Sequence, residues 1–263
     1  MNINDHLSRI IKFFQEKSES SINLRFFKID DSLYQFLKST DIGLKLMRYR
    51  DIVLNEELGI ELGGINKKSF SLIYPTQQKL DDNRDFIYLL GNEVFENADN
   101  KLNFGIFILI QIKKLKETLF DEIRQFSIIS DSIEGFSQRT IPRRFWCRIS
   151  KKLVEKQFSF EFLAKAIICL YKQKYDELIQ SMKIFMVNSD KKLIEEFHNL
   201  ISDIQLEVDS IWRDKVDNWK KRIDCEYSWV CEICPYLKSC QNIQLVLEKR
   251  EELEKKYKGT KND

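Results

Sequence analysis

The chain has 263 residues, of which 43% are hydrophobic, and 43 basic against 41 acidic residues give a formal net charge of +2 at pH 7. This composition suits one large domain or two small ones with a sizeable core, and three prolines and eight glycines exclude collagen-like and linker-rich classes. The balanced charge does not indicate a broad basic surface for binding nucleic acid. No apolar run reaches the roughly 18 residues of a membrane span. The N-terminus is not of the signal-peptide type. We therefore expect a cytoplasmic protein without nucleic-acid or membrane partners.

The first half of the chain predicts mostly strands. It opens with a helix at 3–18, because Leu7, Ile10, Ile11 and Phe14 fall on one helical face. The other elements predicted up to residue 112 are a strand at 22–29, a short helix at 31–38, strands within 51–75 around the turn at Gly63 and Gly64, a short strand near 86–90 and a strand at 104–112. The last of these, FGIFILIQI, is apolar on both faces, as in a central strand.

The second half of the chain is richer in predicted helices. The elements are a helix at 114–126, a strand at 144–149, helices at 151–156 and 160–174, a strand at 183–187, a long helix at 190–223 and a charged helix at 242–257. This order predicts an α+β class, with a mixed sheet and packed helices, followed by a long helix and a Cys-rich, metal-binding helical appendage. We expect three segments: 1–50, an α+β domain at 51–189, and a helical segment with the metal site at 190–263.

Four of the six cysteines lie close together near the C-terminal end, at Cys225, Cys231, Cys234 and Cys240. Their spacing is C-x5-C-x2-C-x5-C, and four thiolates within one short run suit an iron–sulfur cluster or a tetrahedral zinc ion. In a reducing compartment such a group predicts metal binding rather than disulfides. Apolar and aromatic neighbours favour a [4Fe–4S] cluster. A structural zinc site is the alternative.

Several stretches from Gly59 onward carry a family resemblance. They are GIELGG at 59–64, SFSLI at 69–73, FGIFILI at 104–110, GFSQRTIPRRFWCRISKKLVEKQFSFEFLAKAI at 135–167, KIFMVNSDKKL at 183–193 and YSWVCEIC at 227–234. Together they resemble acetyl-CoA synthase, the β subunit of the CO dehydrogenase/acetyl-CoA synthase complex. The resemblance does not extend to residues 1–50. It implies the fold of that subunit's middle domain, followed by the start of the region that holds its nickel–iron–sulfur A-cluster.

The resemblance implies two sets of site residues. Cys231 and Cys234 match the family's first Cys-x2-Cys pair. Arg139, Trp146 and Arg148 fall on positions where the family's middle domain is implicated in binding coenzyme A. The chemistry is suitable, since guanidinium groups pair with phosphates and an indole ring offers a stacking face. The alternative is that Trp146 packs in the core and the arginines are surface charges.

The departures from the family shape the functional expectation. The sequence ends at Asp263 and contains no Cys-Gly-Cys, the motif that holds the family's distal nickel. We expect an iron–sulfur relative without the nickel site, not a complete acetyl-CoA synthase by itself. Its role would be that of an accessory or partner-binding protein in anaerobic one-carbon or acyl-CoA metabolism. The alternatives are a zinc-stapled structural or interaction protein and an iron–sulfur nuclease of the RecB and CRISPR-associated type. A nuclease is disfavoured because no Glu-x-Lys follows a suitable Asp-bearing strand.

Overall fold

The structure describes most of the first 223 residues. The computed structural model describes residues 2–20, 22–29, 53–64, 66–94, 100–114, 117–124, 133–138, 145–156 and 158–223, together with positions 245 and 248. By the proximity of Cα atoms the chain divides into two units, residues 1–204 and 205–263. None of the helices in this described part combines the length and apolar character that a membrane span requires.

Most of the described strands lie in the first half of the chain and most of the helices in the second half. The helices are α1 (Ile3–Glu19), α2 (Glu117–Ile123), α3 (Lys151–Glu155), α4 (Phe160–Tyr175), α5 (Lys191–Leu200) and α6 (Ser202–Ile223). The strands are β1 (Leu24–Ile29), β2 (Leu58–Gly63), β3 (Ser69–Thr76), β4 (Asp85–Gly91), β5 (Lys101–Leu102), β6 (Phe104–Ile112), β7 (Phe136–Gln138), β8 (Trp146–Ser150) and β9 (Ile179–Asn188). The helices predicted at 31–38 and 242–257, and the Cys-rich appendage, lie outside the described residues.

The described strands form two sheets. The larger has the order β1-β4-β9-β6-β3, in which β4 pairs parallel with β9 and β3 parallel with β6, while the other pairs are antiparallel. The smaller has the order β5-β2-β8-β7, with β2 parallel to β5 and antiparallel to β8. Both sheets are therefore mixed, which confirms the predicted α+β class.

The central strands of the larger sheet are buried on both faces. All nine residues of β6 are buried, because successive side chains enter opposite layers. On one face, the ring of Phe185 from β9 lies 5.4 Å from that of Phe14 on α1, and Phe14 lies 5.3 Å from Phe197 on α5. On the other face, Ile184 and its neighbours share a core with α4 and the smaller sheet. The central position predicted for 104–112 is confirmed.

The predicted long helix at 190–223 is divided. The side chain of Asp190 accepts a hydrogen bond from Leu193 N at 2.8 Å and caps α5. Helix α5 ends at Leu200, and its C-cap Ile201 is fully buried and donates its backbone N–H to the carbonyl of His198 at 3.2 Å. Ser202 begins α6 at once. The apolar spacing continues through the break, so periodicity alone predicted one helix.

Candidate functional site

A charged cleft lies where β2 and β8 meet at one end of the smaller sheet. It has a volume of about 220 Å³ and is lined by Asn55, Glu61, Gly63, Asn66, Lys67, Lys101, Trp146 and Arg148. Two residues that sequence analysis assigned to coenzyme A, Trp146 and Arg148, thus face the same space. The third, Arg139, lies outside the described residues. This cleft is the candidate site.

Two glycines shape the wall of the cleft. Gly63 is the direct cross-strand partner of Trp146, and both Gly63 and Gly64 have positive φ angles, 71° and 99°. A Cβ atom at Gly63 would lie 2.1 Å from the carbonyl oxygen of Phe145, and one at Gly64 would lie 3.3 Å from Nε1 of Trp146. Glycine is required here because only bare backbone leaves room for β8 and the indole ring. The strands predicted on either side of these glycines are observed as β2 and β3.

Arg148 is part of the cleft's framework. Its exposed fraction is only 4%. Its Nη1 donates to the carbonyl of Val53 at 2.6 Å, and its Nη2 donates to the side-chain oxygen of Asn55. Its Nε lies 3.6 Å from Oε2 of Glu61, the residue opposite it on β2. Arg148 therefore fixes the chain at 53–55 as one wall of the cleft, with two of its nitrogens already engaged.

Two lysines supply the cleft's accessible positive charge. Nζ of Lys101 lies 3.6 Å from Oε1 of Glu61, and its side chain is 54% exposed, against 8% for Glu61. Lys67 lines the cleft from the loop that follows Gly63 and Gly64. The residues that line the cleft include three cationic side chains and one carboxylate, so the lining suits an anionic ligand.

Sequence reasoning missed Glu61, Lys67 and Lys101. One local signal was available, the run INKK at 65–68 directly after the glycine pair, because backbone N–H groups in a turn can form an anion-binding concavity. No local sequence pattern indicated a role for Lys101, which comes from a two-residue strand in another part of the chain.

The predicted metal ligands Cys225, Cys231, Cys234 and Cys240 lie outside the described residues. Within the part of the chain that the structure describes, no group of three or more His, Cys, Asp or Glu side chains is arranged to hold a metal ion. The other two cysteines, Cys147 and Cys169, are buried and unbridged. Burial raises the pKa of both thiols, so they are poor nucleophiles at neutral pH.

Comparison with known proteins gives the cleft a family context. The family of the CO dehydrogenase/acetyl-CoA synthase complex beta subunit matches residues 46–207. One relative is the acetyl-CoA decarbonylase/synthase complex subunit beta of Methanopyrus kandleri, which is 27% identical over 115 residues, or 43% of this chain and 24% of that protein. The aligned part thus spans about a quarter of the relative's length. All the lining residues of the cleft named above fall within the range that matches the family.

Proposed function

The chain belongs to the CO dehydrogenase/acetyl-CoA synthase complex beta subunit family, and from this we propose that it is a beta-subunit-like accessory protein that binds coenzyme A and works with a protein partner. The observation that carries the proposal is the cleft around Trp146. It places an indole ring, two lysines and a polar wall within one concave space of about 220 Å³. Ligands that join a planar base to phosphates need this combination of a stacking surface and cations.

Within this proposal the cleft residues have different tasks. Trp146 contacts the planar base, and Lys67 and Lys101 neutralise phosphate charge. Arg148 acts as a positioning residue, since its hydrogen bonds to Val53 and Asn55 keep the wall in place. Arg139, which sequence analysis also assigned to this ligand, remains a further candidate phosphate contact.

We further propose that Cys225, Cys231, Cys234 and Cys240 hold one metal centre, a [4Fe–4S] cluster. The donor set supports this, since four thiolates with a central Cys-x2-Cys match the ligands that such clusters use. A bound cluster would supply one-electron transfer or a structural crosslink. A zinc ion on the same thiolates is the alternative, and it would make the segment purely structural.

The sequence contains no Cys-Gly-Cys, so no thiolate pair here supplies the square-planar N2S2 geometry of a nickel site. For that reason we propose that this chain does not by itself assemble acetyl-CoA. The Methanopyrus relative is named as a subunit of a complex, which supports a search for a protein partner. An anaerobic pull-down from native extract tests this part of the proposal. The control is a preparation of the same chain without bound cofactors.

Calorimetry of the full chain with coenzyme A tests the ligand. We expect saturable binding that weakens as salt is raised and falls several-fold in Lys67→Met and Lys101→Met. The matched control is Lys152→Met, because Lys152, like Lys101, forms an ion pair with a glutamate, Glu134 at 3.8 Å, but lies outside the cleft lining. No heat of binding, or an equal loss in the control, would refute the assignment.

A further inference from the structure

A second cavity, of about 320 Å³, lies between helix α1 and strands β1 and β4. Both α1 and β1 precede residue 46, where the family match begins, whereas β4 lies inside the matched range. Two of the three elements that form the cavity thus lie outside the matched range. The cavity is separate from the cleft at Trp146, with which it shares no lining residue.

The body of this cavity is aromatic and aliphatic. Phe26, Phe86 and Tyr88 line it from the sheet, with the Phe26 and Tyr88 ring centroids 4.6 Å apart and those of Phe86 and Tyr88 5.4 Å apart. Leu7 and Ile11, one helical turn apart on α1, line the opposite side. Phe26 keeps 43% of its surface exposed, which is high for a phenylalanine. Such a lining suits an apolar or aromatic group.

Some of the charges at the cavity are already paired. Arg84 donates from Nη2 to Oδ2 of Asp82 at 2.8 Å and from Nε to Oδ1 at 3.0 Å. Asp85 accepts the backbone N–H of Met182 at 2.8 Å and a hydrogen bond from Lys172. These carboxylates therefore have strong partners of their own, and neither offers the cavity an uncompensated charge.

Three polar groups at the cavity remain open to a ligand. Lys28 and Asp81 are exposed and form no ion pair with any residue that the structure describes. The hydroxyl of Tyr88 likewise forms no hydrogen bond with a described residue. Burial, with the charge of Asp82 adding to it, raises the pKa of Tyr88, so this phenol stays protonated and can donate.

We propose that the cavity binds a small zwitterion with an aromatic or branched apolar body, the chemistry of a free apolar α-amino acid. The open charges are one cation and one anion. A ligand with a single charge would be attracted by one of them and repelled by the other, whereas a zwitterion pairs with both. The ligand carboxylate would meet Lys28 and the Tyr88 hydroxyl, its ammonium would meet Asp81, and its side chain would fill the aromatic body. The proposal does not depend on coenzyme A binding.

Calorimetry of the full chain with L-phenylalanine tests the proposal, with phenethylamine and 3-phenylpropionate as probes that each lack one charge. We expect saturable binding of the amino acid and at least fivefold weaker binding of both single-charge probes. Binding of either probe as tight as that of phenylalanine would overturn the zwitterion assignment. Absence of binding by all three would overturn the site.

Variants at exposed positions locate the binding without endangering the fold. We expect Asp81→Asn, Lys28→Met and Phe26→Ala each to weaken L-phenylalanine binding at least threefold while leaving the coenzyme A titration unchanged. The control is Lys12→Met, an exposed lysine on α1 that does not line the cavity. Equal affinities in all four variants would place the amino acid elsewhere and refute the proposal.

Discussion

Glu61 and Arg148 are direct cross-strand partners in the smaller sheet, and both are almost entirely buried, with 6% and 4% of their surfaces exposed. Their closest charged atoms are 3.6 Å apart, longer than a charge-assisted hydrogen bond. The carboxylate is therefore stabilised by two flanking cations, Arg148 on β8 and Lys101 on β5, and not by one tight pair. Removal of either buried partner changes the framework on which the cleft is built.

A double-mutant cycle on this pair measures that framework. We expect Arg148→Met to lower the free energy of unfolding by about 3 kcal/mol, because it leaves a buried carboxylate with only Lys101 and removes two hydrogen bonds to the 53–55 wall. Glu61→Gln should cost about 1 kcal/mol. In urea titrations the double variant should lose about 1 kcal/mol less free energy of unfolding than the sum of the losses in the two single variants. Strict additivity would show that the two side chains are not coupled.

Gly63→Ala is expected to be among the most damaging small substitutions in the chain. The residue has a φ of 71°, and an added Cβ would lie 2.1 Å from the backbone oxygen of Phe145. The left-handed conformation alone costs an alanine about 1–2 kcal/mol. We therefore expect Gly63→Ala to lower the free energy of unfolding by at least about 2 kcal/mol. Ser71→Ala, on an exposed position of β3, is the control and should change stability by less than about 0.5 kcal/mol. Similar melting curves for the two variants would contradict this view of the turn.

Lys183 is a fully buried lysine in the middle of the larger sheet. Its Nζ donates to the carbonyl of Arg84 and lies 4.8 Å from the ring centroid of Phe86. Burial lowers the pKa of Lys183 from 10.5 to about 8, against the opposing effect of Asp82 and Asp85. The folded state therefore loses this proton at a lower pH than the unfolded state does.

The sign of the resulting pH dependence follows from linkage. Below about pH 8 both states carry the proton, and the folded state bears the cost of a buried charge. As pH rises from about 8 to 10.5, the folded state releases the proton first, so wild type should gain stability relative to Lys183→Met, by about 1–3 kcal/mol. Urea unfolding of both proteins at several pH values measures this difference. A constant or falling difference would contradict the assigned pKa.

Sequence patterns predicted those helices and strands in which an apolar pattern runs without interruption along the segment. The nine apolar residues of β6 predicted a strand buried on both faces, and the stripe on α1 predicted a helix within one residue of its observed ends. Strands β5 and β7 have only two and three residues, too few for any periodicity to register, and they were missed. The break at Ile201 was also missed, since the buried stripe continues on both sides of it.

The candidate site was only partly visible in the sequence. Trp146 and Arg148 stand in the segment that carries the strongest family resemblance. The burial of Arg148 depends on Glu61, which is distant in sequence and becomes its neighbour only when β2 pairs with β8. Lys67 and Lys101 come from two further segments of the chain, and only Lys67 stands beside a local signal, so the cleft's charge depends on tertiary structure.

Substitution of the clustered cysteines tests the proposed metal centre. We expect protein purified anaerobically to contain about four iron and four sulfide per chain, and Cys231→Ser to lose most of both. Cys169→Ala, at a buried cysteine that does not belong to the C-x5-C-x2-C-x5-C run, should retain its metal. One zinc per chain would replace the iron–sulfur assignment with the structural alternative. Full iron occupancy in Cys225→Ser would reduce the site to three cysteines.

The central claim is that coenzyme A binds in the cleft that contains Trp146. The most direct measurement is the NMR signal of the tryptophan indole N–H groups in the full chain, with the Trp146 signal assigned from Trp146→Phe. We predict that coenzyme A shifts the Trp146 signal saturably and that Lys67→Met and Lys101→Met weaken the response. A Trp146 signal that stays in place at saturating coenzyme A would contradict the account.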